Sequence, residues 1–224
     1  MATTPNLNEA IEFAENPDPR CPCVLLLDTS ASMAGDKIDA LNAGLKAFEQ
    51  DIHRDTLASR RVEVAVVTFN SEIEVVLDFT TSDQFKAPVL STTGMTHMGA
   101  AMNKALDLVE SRKATYRAND IQYYRPWIFM ITDGEPQGET SDVVERAARR
   151  VKEAEKASKV AFFAVGVEGA NLTQLATICD RQPVALKGLN FVEMFVWLSR
   201  SMAAVSASTP GDMVALTPAG WGKV

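Results

Sequence analysis

The sequence predicts an α/β fold, a doubly wound, mostly parallel Rossmann-like sheet with one antiparallel strand. Three observations carry this reading. The near-continuous apolar runs "CVLLLD" (23–28), "PWIFMIT" (126–132) and "KVAFFAVGV" (159–167) match strands buried on both faces. Between them lie stretches whose apolar residues recur every three or four positions, the period of an amphipathic helix. The third is a hairpin signature: "RVEVAVVTFN" and "EIEVVLDF" meet at the turn-prone pair Asn70-Ser71.

Each element follows in order. Residues 1–20 are polar and punctuated by proline, a lead-in more than a domain. After the first strand, Ile38, Leu41, Leu45, Phe48 and Ile52 form one helical stripe. The hairpin and a polar stretch (80–95) lead to a second stripe through Met98, Met102, Ala105, Leu106 and Val109. Beyond strand 126–132, Val143, Val144, Ala147 and Val151 mark a third helix. A short helix at 172–178, a weak strand at 183–186 and a last helix at 190–205 follow the third buried run. One domain, residues 21–206, accounts for these elements. The Pro- and Gly-rich tail, 207–224, is expected to pack on or over it.

Composition narrows the function. In 224 residues, 46% hydrophobic and 23% charged, there is enough apolar material for a proper core. A net charge of −7 argues against a nucleic-acid partner, because no phosphate-neutralising face is on offer. The first residues show neither a basic n-region nor an apolar h-region, and no run approaches the roughly 20 apolar residues of a membrane span. The expectation is a cytoplasmic protein. Three cysteines, two of them in Cys21-Pro22-Cys23, make no disulfide framework. With only His53 and His97 to join them, they make no zinc site either. Cys23 reads as a small hydrophobe entering the first strand, with Cys21 at its start.

Chemistry concentrates where strands end. In open α/β sheets, ligands bind beyond the carboxyl ends of the strands, where strand order reverses. Asp28 ends the first strand and is followed by Ser30 and Ser32, while Asp133 follows strand 126–132. If those strands are neighbours at the reversal, their oxygens face one crevice, and Thr96, opening the helix between them, adds a third hydroxyl. The set is Asp28, Ser30, Ser32, Thr96 and Asp133, all oxygen donors suited to a hard divalent cation such as Mg²⁺. Uncharged hydroxyls leave more of the metal's charge unneutralised than carboxylates do, so an acidic group from a partner is attracted.

These segments resemble the von Willebrand factor A (VWA) domain family. "DTSASM" is similar to its Asp-x-Ser-x-Ser signature, "TGMTHMGAAM" to its Gly-Gly-Thr segment and "ITDGEP" to its Asp-Gly segment, in the family's order. The resemblance covers roughly residues 20–205. It implies a metal-ion-dependent adhesion site (MIDAS) in which Ser30, Ser32 and Thr96 contact the metal, Asp28 and Asp133 act mainly through water, and a partner's Asp or Glu docks. Mg²⁺ is the expected ion, with Mn²⁺ or Ca²⁺ as alternatives. Two departures stand out: Ala31 where Gly is common, and Met95 for the second Gly, which removes backbone freedom beside Thr96. The ending "FVEMFVWLSRSMAAVSASTPGDMVALTPAGW" further resembles small stand-alone TerY-like bacterial VWA proteins of tellurite-resistance operons. That similarity implies a stress-response setting with a PP2C-type phosphatase and a protein kinase as partners.

Other readings compete. Ser32 and Thr96 could simply cap helices and Asp133 could shape a turn. His97 reads as a surface residue past a helix cap, and His53 as solvated. Met95, Met98 and Met102 are either a docking fringe or core filler. The charged face at 146–156 reads as solvated, and Trp221 as docked back onto its own domain. An enzyme is disfavoured. An aspartyl phosphotransferase needs a carboxylate two residues after its nucleophile, where Ser30 stands, and no Lys sits in a recognisable motif. Neither a Gly-x-Ser-x-Gly elbow nor a Walker or Gly-x-Gly-x-x-Gly loop is present. A metal-independent structural scaffold is the remaining alternative.

Overall fold

The computed structural model describes residues 7–223. The elements run α1 (Leu7–Glu15), β1 (Cys21–Asp28), α2 (Asp36–Ile52), α3 (Ala58–Arg61), β2 (Val62–Phe69), β3 (Ile73–Thr81) and α4 (Met98–Ala118). They continue with β4 (Trp127–Thr132), α5 (Ser141–Lys156), β5 (Ala161–Gly166), α6 (Leu172–Leu175), β6 (Val184–Leu186), α7 (Phe191–Ser206) and β7 (Gly222–Lys223). A 3-10 turn, Ala31–Met33, joins β1 to α2.

The strands form one sheet in the order β3-β2-β1-β4-β5-β6-β7. β1 is parallel to both β2 and β4, and the chain leaves it first to one side and later to the other. The switch point therefore lies between β1 and β4. Every residue of β1, β2 and β4 is buried, as expected of largely apolar strands covered on both faces. Along β1 the side chains alternate between two cores. Leu25 and Leu27 join Leu41, Phe48, Phe195 and Leu198 of α2 and α7, and Val24 and Leu26 join Met102, Leu106 and Val151 of α4 and α5. Edge strand β3 pairs antiparallel with β2 and alternates half-buried with exposed residues over most of its length.

The structure departs from the sequence reading at both ends. The lead-in carries helix α1, while residues 1–6 lie outside the described residues. Phe13 of α1 is buried against Tyr116, and the guanidinium groups of Arg20 and Arg112 each lie 5.1 Å from its ring centre. Both arginines share the fully buried carboxylate of Glu63. Arg20 Nε donates to Oε1 at 2.9 Å, Arg112 Nε to Oε2 at 2.8 Å, and the Tyr116 hydroxyl adds a short bond to Oε2. Such a cluster answers the cost of burying a charge by surrounding it with charged and polar partners. At the other end the tail adds β7, antiparallel to β6, so the sheet has an antiparallel strand at each edge rather than one alone. Trp221 is 3% exposed and packs edge-on to Trp197 and Phe129.

Candidate functional site

Asp28 and Thr132 end adjacent parallel strands at the switch point, and the backbone leaves the sheet directly after each. The Asp28 carboxylate organises the turn that follows it: Oδ1 accepts from the Ser30 amide at 2.8 Å, and Oδ2 accepts from the Thr132 hydroxyl at 2.5 Å. This is an Asx-type turn, which folds the chain back so that Ser30 and Ser32 face the strand end. Their hydroxyls lie 3.0 Å apart, and Ser32 Oγ donates to Asp133 Oδ1 at 2.7 Å.

Thr96 arrives from the segment before α4, held by backbone bonds. Ala31 N donates to the Gly94 carbonyl at 3.1 Å, His97 N to the Asn70 carbonyl at 2.9 Å and Gln137 N to the Thr96 carbonyl at 3.0 Å. Gly94, with φ +72°, allows the bend, and the following Met95 amide donates to Ser71 Oγ. The replacement of a second glycine by Met95 leaves this arrangement intact, with the Met95 side chain turned outward and 52% exposed. Met98 and Met102 are fully buried, so the three methionines divide: one on the rim, two in the core.

All five sequence-predicted residues come together. A methyl group built on Gly134 would lie 3.6 Å from Thr96 Oγ1, 3.7 Å from Ser32 Oγ and 3.9 Å from Asp28 Oδ2. The space over Gly134 is thus a cradle lined by oxygens. Asp28, Ser30, Thr96 and Asp133 are buried, and only Ser32 opens to solvent. Burial pushes the Asp28 carboxyl above the usual carboxylate range, and nearby Asp133 adds to the rise; hydrogen bonds from Ser30 and Thr132 oppose it.

The capping alternative does not describe these hydroxyls. The residue at the N-cap of α2 is Gly35 and that of α4 is His97, and neither makes a side-chain capping bond. The amides at the start of α4 are served from elsewhere: Glu139 accepts from Gly99 N at 2.7 Å and from Ala100 N at 2.8 Å. A carboxylate there also meets the positive end of the helix dipole. Nothing in the local sequence marks Glu139 or Thr132, since Gly99, Ala100 and Asp28, which they bond, lie far along the chain.

Lys37 is the other unforeseen member. Its side chain is 25% exposed, and its ammonium group pairs with Oδ2 of Asp133, whose side chain is 1% exposed, and lies 3.4 Å from the Ser32 carbonyl. No recognisable motif marks this lysine; the fold brings it in from the first turn of α2.

The sequence-predicted side chains gathered here offer oxygen donors only. Among the described residues no group of three or more His, Cys, Asp or Glu side chains is placed to hold a metal. A site here would rest on two carboxylates and three hydroxyls, the oxygen-only set that Mg²⁺ or Ca²⁺ accepts and softer ions do not favour. His97 is half-buried at the start of α4, facing Gly138, and exposed His53 ends α2. All three cysteines are buried and free, and burial raises the thiols of Cys21 and Cys179 to about 12, with Glu63 and Glu155 respectively adding to the rise.

A doubly wound domain with a polar crevice at its switch point is thus defined by fold and geometry. The sequence profile of the von Willebrand factor type A domain matches residues 23–193, and the chain belongs to that family. No curated protein matches its sequence. Among solved structures, a von Willebrand factor type A protein from Catenulispora acidiphila superimposes with a TM-score of 0.63 at 17% identity, covering 83% of this chain and 43% of that one. The pilus adhesin SpaC from Lactobacillus rhamnosus GG gives 0.67 at 13% identity, with coverages of 84% and 30%. Proximal thread matrix protein 1 from the mussel byssus gives 0.59 at 15%, with coverages of 85% and 47%. The likeness is one of fold, and the chain spans less than half the length of each. Among the described residues no helix is long and apolar enough to cross a membrane.

Proposed function

We propose that this chain is a non-enzymatic protein-docking module whose contact is made through a divalent cation. Ser30, Ser32 and Thr96 would hold the ion directly, with Asp28 and Asp133 acting through water. Mg²⁺ is the ion of choice, with Mn²⁺ or Ca²⁺ as alternatives. The observation that carries this reading is the convergence of five oxygen-bearing side chains at the switch point, Asp28, Ser32 and Thr96 around Gly134 and Ser30 and Asp133 bonded to Ser32, with no hydroxyl among them making a helix-capping bond.

The ion supplies uncompensated positive charge at the rim. A partner's Asp or Glu is the complementary group, since a carboxylate neutralises that charge and is a hard oxygen donor. Exposed Met95 beside Thr96 gives the rim an adaptable apolar contact. An aspartyl phosphotransfer role is disfavoured because both Asp28 oxygens are engaged and Ser30 stands where a general acid would. The name of the pilus adhesin that shares the fold is in keeping with a docking role. The resemblance of the C-terminal segment to TerY-like proteins favours a cytoplasmic stress-response complex containing a PP2C-type phosphatase and a protein kinase.

The test is capture of partners from native cytosol by the wild-type chain in Mg²⁺ and in EDTA, with Asp28→Ala as control. A partner retained only with Mg²⁺ and only by the wild type is the expected result. A partner indifferent to chelation overturns the docking-metal reading, and the EDTA arm does so without relying on any variant's folding.

A further inference from the structure

Lys37 stands where its own helix does not favour it. It is the second residue of α2, at the positive end of the helix dipole, in a first turn otherwise marked by Asp36 and Asp39. Its stem is partly covered and its ammonium reaches Asp133, 96 positions along the chain. That carboxylate is the one that also accepts from Ser32, a hydroxyl of the cradle. The same ammonium lies 3.4 Å from the Ser32 carbonyl. A tethered monovalent cation thus bridges the two segments that a divalent ion would bridge.

We propose that Lys37 is a built-in competitor for the divalent cation, pairing with Asp133 in the metal-free protein and setting how tightly the crevice takes up metal. This rests on the docking-metal reading. The physical basis is charge. The crevice presents two carboxylates, Asp28 and Asp133, and Lys37 already neutralises one of them. An incoming ion meets both a reduced attraction and a like-charged neighbour, so its binding requires the Lys37–Asp133 pair to loosen. In return, the pair keeps the buried Asp133 from being left uncompensated when no metal is bound. Lys37 is therefore a positioning residue that acts through Asp133, and its removal has opposite effects on the two states: it weakens the metal-free fold and strengthens metal uptake.

Calorimetric titration of Mg²⁺ and Mn²⁺ into the wild type, Lys37→Met, Lys37→Arg and Ser30→Ala tests this, alongside melting of each with and without metal. Lys37→Met is expected to bind metal about tenfold more tightly than wild type, the effect of removing a moderately strong ion pair that binding must break. Its melting temperature without metal should fall, and its gain on adding metal should exceed the wild type's. Lys37→Arg, which keeps the charge, should show no tightening, and Ser30→Ala should bind weakly or not at all. Equal or weaker affinity in Lys37→Met, with binding still dependent on Ser30, overturns the competitor role and leaves the docking metal standing. Absence of binding in wild type and Lys37→Met alike overturns both.

Discussion

Thr132 donates its hydroxyl to Asp28 Oδ2 at 2.5 Å, across the seam between β4 and β1 where the sheet reverses. Thr132 Oγ1 in turn accepts from the Gly134 amide at 3.1 Å, so one side chain fixes both the carboxylate and the start of the Asp133 loop. Thr132→Val keeps the shape and removes both bonds. Asp28 then keeps a buried oxygen short of a donor, and stability should drop by about 2 kcal/mol in urea denaturation. Metal affinity should fall by about 10- to 100-fold by calorimetry, the scale of losing support behind a ligand.

Gly134→Ala separates the crevice from the fold. The new methyl would make contacts of 3.6–3.9 Å, ordinary van der Waals distances, and the φ of Gly134 is not positive. Folding should therefore be almost unaffected, within about 1 kcal/mol. The methyl nevertheless fills the oxygen-lined space. Metal binding should be lost while the melting temperature in EDTA stays at the wild-type value.

Glu63 is the hub of a buried cluster at the opposite end of the sheet. Glu63→Gln keeps the volume and removes the charge shared by Arg20 and Arg112, although Arg112 retains Glu12 at 3.6 Å. Breaking one partner of a buried ionic cluster costs about 3–5 kcal/mol, and a loss of that size is expected in the urea midpoint. Because α1 is anchored through Phe13 on the same arginines, its amides should lose hydrogen-exchange protection first.

Trp221 holds the tail to the edge of the sheet. Its carbonyl accepts from Lys187 N at 3.0 Å, and Trp197 Nε1 donates to the Thr217 carbonyl at 2.8 Å beside it. Trp221→Ala opens a large hole in that edge, and a loss of about 3 kcal/mol is expected. Hydrogen exchange should show the loss concentrated at β6 and β7, with β1 and β4 keeping their protection.

Much of this was legible in the sequence, for physical reasons. β1, β4 and β5 announce themselves because strands covered on both faces must be apolar throughout, and α2 because its stripe faces a single core. Asp28, Ser30, Ser32 and Asp133 could be placed because strand ends position whatever follows them, and Thr96 because it sits directly before a well-patterned helix. What escaped depends on partners distant in sequence. Lys37 and Asp133 are 96 positions apart, and Glu139 reaches the start of α4 from 40 positions away. Helix α1 is short, and the seat of its Phe13 needs an arginine pair assembled around Glu63 from the residue before β1 and from α4. β7 is two residues long, below the length at which any alternation can be read. The methionines at 95, 98 and 102 carry the same side chain on one short stretch, and only the helix start between the first two decides which face solvent.

The most direct test of the docking-metal account is a crystal of the wild-type chain soaked in Mn²⁺ and measured for anomalous scattering. The account predicts a single strong peak in the space over Gly134, with the hydroxyls of Ser30, Ser32 and Thr96 as ligands, and its loss in Asp28→Ala. No peak there at millimolar Mn²⁺, with the Asp28–Ser32 turn intact, would contradict it.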